Sequence, residues 1–189
     1  MKQHRPHGPA PTALEANVLK LMALEMILFV FYMEDLRRFI IKAVTLTYQF
    51  QQQPAPLPAG DILKKATRTL LDAGVLSKDQ RTEFNKLIAY RNIIGHEHHF
   101  LTVDVGAYAD LAEMIAIKGK SPSGYDGTML DRVIKMRKHL HEAVAKKFIM
   151  ELSFDSLMFE AAEKTYLNEI KRLKSEISSQ IKELTQHAS

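Results

Sequence analysis

Apolar residues recur at helical spacing from the thirteenth to the fiftieth position: Leu14, Val18, Leu21, Leu24, Leu28, Phe31, Leu36, Phe39, Ile40 and Val44. The pattern predicts one long helix over Ala13 to Phe50. Thr12, with Glu15 three positions on, has the spacing of a capping box at its start. The β-branched Val44, Thr45 and Thr47 favour fraying or a bend towards its end. Next comes QQQPAPLPAG, Gln51 to Gly60, whose three prolines stop any helix. Asp61 is placed to cap a second helix over Ile62 to Asp72, with Gly74 as its stop. Ser77 caps a third helix with Phe84, Leu87, Ile88 and Ile94 on its apolar face, running through Arg91 and ending soon after a histidine cluster.

The remaining pattern is also helical. Phe100 to Val105 has the composition of an extended run, but a single short run does not make a sheet. Gly119 to Gly127 is a Gly/Ser/Pro loop. A fourth helix is expected over Thr128 to Met150, with Leu130, Val133, Ile134, Leu140, Val144 and Phe148 as its core. A last helix covers Asp155 to Gln186, where Tyr166, Ile170, Leu173, Ile177 and Leu184 follow a three-four alternation broken at Gln180. That pattern serves either packing on the protein's own bundle or a short coiled coil with a partner. The fold class is therefore all-α: residues 1–11, rich in proline, as a disordered lead-in, residues 12–150 as a helical bundle, and residues 151–189 as a C-terminal helix.

Composition adds exclusions. The chain has 189 residues and no cysteine, which removes thiol nucleophiles, thiolate metal sites and disulfides, and suits a reducing cytoplasm. A net charge of +4 without any basic run permits a polyanionic partner without demanding one. Val18 to Met33 invites a membrane reading, but Lys20 and Glu25 interrupt it, and a core helix is the expectation, with no membrane partner.

The most informative segment is Tyr90-Arg91-Asn92-Ile93-Ile94-Gly95-His96-Glu97-His98-His99. A guanidinium is permanently charged and presents a fork of donors that fits phosphate. An imidazole titrates near neutral pH and can move a proton. Together, Arg91 and His96 can cleave a ribose-phosphate backbone without metal or other cofactor, the arginine stabilising charge on the phosphate. Five positions along a helix turn by about 140°, so a site built from both side chains calls for a helix seam or a second subunit. Gly95, without a side chain, lets another backbone approach just before His96, or simply ends the helix.

Arg91-Asn92 followed by three residues and His96 matches the Arg-X4-6-His motif of HEPN domains, including the asparagine that often follows the arginine. The lead-in is similar as well: Ile62 to Leu71, the turn Ala73-Gly74-Val75-Leu76-Ser77-Lys78, then Phe84 to Tyr90. The resemblance covers Asp61 to His99 and is compatible with the helices on either side. It implies a four- or five-helix bundle that dimerises, with two Arg/His motifs facing each other in a cleft. Its implied activity is metal-independent endoribonuclease chemistry on RNA, giving 2′,3′-cyclic phosphate and 5′-hydroxyl ends, in toxin–antitoxin or phage-defence systems. Arg91 and His96 would be catalytic, Asn92 would orient the phosphate or His96, and an antitoxin or sensor protein would be a partner. His98 stands where one toxin subgroup has a tyrosine that its antitoxin nucleotidylates, so that form of restraint is not expected here. Some HEPN domains are non-enzymatic dimerisation or partner-binding modules, which is the alternative function.

Three other sets of residues carry chemistry. His96 and His99, three apart, can chelate with one more ligand such as Asp104, although the spacing departs from the zincin motif. His139 and His141 read as solvated surface residues of the fourth helix. Glu25, Glu34 and Asp35 are acids of the first helix able to orient a catalytic histidine. Glu25, in the most apolar stretch, needs a partner if buried, either Arg91 or a basic residue of another helix.

Overall fold

Thr12 and Glu15 close a reciprocal box in the computed structural model: the Thr12 amide donates to Glu15 Oε2 at 2.6 Å and the Glu15 amide to Thr12 Oγ1 at 3.2 Å. From this start α1 runs over Ala13–Phe50. Residues 12–54, 61–96, 125–150 and 154–187 are described. Among them lie four more helices, α2 Ile62–Asp72, α3 Lys78–His96, α4 Met129–Val144 and α5 Phe154–His187, and no strand, so the architecture is all-α. The expected lead-in over residues 1–11, the prolines of the first linker after Pro54, the run Phe100 to Val105 and most of the Gly119 to Gly127 loop lie outside the described residues.

The described residues divide into two compact units, 12–28 with 94–96, 125–127 and 160–187, and 29–54 and 61–93 with 128–150 and 154–159. In the first, Asn17 Nδ2 donates to Glu176 Oε2 and Gln180 Oε1 at 3.4 and 3.3 Å, tying α1 to α5. Leu14, Val18, Met22 and Met26 are buried on α1, and Ile170, Leu173 and Ile177 on α5. The three-four alternation of α5 is thus used within the protein itself as far as Ile177, while Leu184 beyond it is 53% exposed.

In the second unit, α1 buries Phe29, Tyr32, Met33, Leu36, Ile40 and Val44. Phe29 meets Tyr90 of α3 edge to face with centroids 5.1 Å apart. Tyr32 meets Phe159 of α5 at 5.4 Å, and the Arg137 guanidinium of α4 lies over both rings while it pairs with Asp35 at 2.8 Å. Arg132 of α4 grips Glu83 of α3 through two bonds, at 2.6 and 2.9 Å. The Arg132 guanidinium holds the Glu83 carboxyl below its usual range. The α2 helix ends in a Schellman turn: the Gly74 amide donates to Leu71 O at 2.9 Å, the Val75 amide to Leu70 O at 2.8 Å, and Gly74 has φ +67°.

Phe31 is 42% exposed, because the buried stripe of α1 steps through Met22, Met26, Phe29, Met33 and Leu36 and leaves Phe31 off it. Two sequence expectations are corrected. The fourth helix ends at Val144 rather than Met150, since Lys147 turns back to donate to Ala73 O at 2.6 Å and the Ile149 amide to Thr47 Oγ1 at 2.8 Å. His141 is not a solvated histidine, as its ring stacks on Phe39 with centroids 4.0 Å apart. By length and composition α1 is long and apolar enough to cross a membrane, yet its stripe from Val18 to Val44 is buried against protein.

Candidate functional site

Because α3 carries the Arg-Asn-Ile-Ile-Gly-His sequence, its start decides where those side chains stand. Ser77 and Gln80 form a reciprocal cap there, the Gln80 amide donating to Ser77 Oγ at 3.1 Å and the Ser77 amide to Gln80 Oε1 at 2.8 Å. Phe84, Leu87, Tyr90 and Ile94 then bury one face of α3. Three- and four-residue steps between them leave Arg91 partly exposed and Asn92 exposed on the other face. Ile93, which belongs to neither face, is 41% exposed.

Arg91 and Asn92 border a surface cleft of about 290 Å³ in the second unit, lined also by Met33, Glu34 and Arg37 of α1, Leu63 of α2 and Ile88 of α3. Arg91 Nη2 donates to Glu34 Oε1 at 2.6 Å, and Arg91 Nη1 to Asn92 Oδ1 at 3.3 Å. The other oxygen of Glu34 lies 3.5 Å from Arg37 Nη1. Two guanidiniums therefore share one carboxylate over an apolar floor of Met33, Leu63 and Ile88. One positive charge is left over, and the arginines keep 38% and 53% of their side-chain surfaces exposed. This is chemistry for an anion with several oxygens.

His96 is the last residue of α3 and is exposed, so its imidazole is open to a reactant. Glu97, His98, His99 and Asp104 lie outside the described residues, so of the cluster considered for a metal only His96 is described. Among the described residues, no group of three His, Asp or Glu side chains is placed to hold a metal ion. Glu25 is 4% exposed, and its partners include Lys174 of α5, at 2.7 Å, and the Tyr125 hydroxyl, which donates to it. A buried acid on the first helix does find a basic residue of another helix. Arg91, the other partner considered for it, is engaged by Glu34.

The sequence marks Glu34 only as an acid of the first helix able to orient a catalytic histidine, and it does not mark Arg37. The spacing of Glu34 and Arg37, three apart on a helix, signals a pair. Nothing local joins them to Arg91, 57 positions from Glu34. No family model matches the chain, and no curated protein or solved structure does either.

Proposed function

We propose that the chain is a metal-independent endoribonuclease of HEPN type. The observation that carries this reading is the Arg91–Asn92 pair at an open cleft, on the helix that ends at His96. The Arg-Asn-(three residues)-His spacing and the all-α architecture support it. In this reaction the ribose 2′-hydroxyl attacks the adjacent phosphorus and the bond to the 5′-oxygen breaks. His96 makes one of the two proton transfers, taking the proton from the 2′-hydroxyl or giving one to the leaving 5′-oxygen, and water makes the other. Arg91 stabilises the charge that builds on the phosphoryl oxygens, and Asn92 braces the Arg91 fork through its Oδ1. The products are a 2′,3′-cyclic phosphate and a 5′-hydroxyl. The active form is a homodimer that completes the site, in the cytoplasm, in a toxin–antitoxin or phage-defence setting with an antitoxin or sensor as its partner.

The test is cleavage of total cellular RNA by the purified protein in EDTA, beside Arg91→Ala and His96→Ala. Each substitution is expected to slow cleavage about 100-fold or more, as loss of a general acid–base or a charge-stabilising donor does. Cyclic-phosphate ends should appear with the wild type. A folded protein that binds RNA but leaves it intact would instead make this a binding module.

A further inference from the structure

Glu34 stands between two guanidiniums, one from its own helix and one from α3, with one carboxylate oxygen on each. A phosphodiester has the same two-oxygen, singly charged outline, and guanidinium forks accept either anion. We propose that Arg37 and Arg91 form a clasp for a backbone phosphate of single-stranded RNA, and that Glu34 fills this clasp in the free protein. The inference rests on the nuclease reading and adds to it a second phosphate-binding residue and an internal competitor for the substrate.

The geometry favours exchange of one anion for the other. Arg37 is more than half exposed, and its contact with Glu34 is long, at 3.5 Å. Exposed ion pairs of this kind are weak and are readily screened. The firmer contact, Arg91 to Glu34 at 2.6 Å, fixes the direction of the Arg91 fork before RNA arrives. Asn92, bonded to the same fork, limits its rotation. The apolar floor of Met33, Leu63 and Ile88 offers no competing acceptor, so the anion side of the cleft is supplied by Glu34. When a phosphate takes the clasp, the Glu34 carboxylate can turn to solvent, since 28% of its side chain is already exposed.

Binding without cleavage isolates this step. In a His96→Ala protein, affinity for a short single-stranded oligoribonucleotide is measured by fluorescence anisotropy across a salt series. Adding Arg37→Ala should weaken binding about five- to tenfold and reduce the slope of log affinity against log salt by about 0.7, the loss of one phosphate contact on a single strand. Arg37→Lys should keep the slope, and Glu34→Gln should tighten binding by removing the competing charge. In proteins with His96 intact, Arg37→Ala should raise KM about five- to tenfold, in step with the weaker binding. An unchanged slope with Arg37→Ala, or weaker binding with Glu34→Gln, would overturn the clasp. Wild-type cleavage beside an unchanged slope removes the clasp alone, whereas an Arg37-dependent slope in a protein that never cleaves RNA removes the nuclease and leaves the clasp.

Discussion

His141 presents its ring face to Phe39, with planes inclined by 7°, and its Nε2 is buried without a hydrogen-bond partner among the described residues. Burial disfavours the imidazolium, the nearby Arg137 charge adds to this, and Asp35 opposes it, so the pKa lies below its usual 6.5. On acidification the unfolded chain therefore binds this proton first. The stability associated with the neutral ring is complete above the unfolded pKa and drains away as pH falls towards the lowered folded value. Thermal melts from about pH 7 to about pH 5 should show a falling midpoint, and His141→Phe, which keeps a ring against Phe39, should flatten that fall. An unchanged pH profile in the variant would mean that other groups set it. Glu83 acts in a lower window. Its pKa is depressed by Arg132, so the stability it supplies is present above the usual carboxylate value and is lost as pH falls through the lowered one.

At the scale of the element, the ends of α2 and α3 are what place Arg91. Ser77→Ala removes the side-chain half of a cap and should cost about 1 kcal/mol. Gly74→Ala forces a Cβ into a left-handed residue and should cost about 1 kcal/mol more than a helix-surface change would. Urea unfolding is the measurement, with a lower midpoint and an unchanged slope expected for each. Such ends were legible because their causes are local. Thr12 with Glu15, Asp61 before α2, Gly74 after it and Ser77 before α3 all act within five positions of the ends they set. The end of α4 was not legible, because Ala145, Lys146 and Lys147 are good helix formers and only contacts to Ala73 and Thr47 stop it. The candidate site divides in the same way. Arg91, Asn92 and His96 stand within one short stretch, whereas Arg37 and Glu34 meet Arg91 only after α1 and α3 have packed.

For the whole molecule, the proposed site carries a stoichiometric consequence, because a site completed by a second subunit can be repaired by one. Arg91→Ala and His96→Ala are each inactive alone under this reading. When the two proteins are mixed, unfolded and refolded together, about half the dimers should contain one chain of each kind. If a working centre takes its arginine from one chain and its histidine from the other, each mixed dimer holds one intact centre and one doubly damaged one. Activity should then return to about a quarter of the wild-type level, from half the dimers with one centre of two. If both groups must come from the same chain, every centre in the mixture lacks one of them, and the mixture stays inactive however it is refolded. The second result would leave Arg91 and His96 as catalytic residues of a single chain and would remove the need for a dimer. A mixture that recovers only after co-refolding, and not on simple addition, would also show that the subunits exchange slowly once assembled.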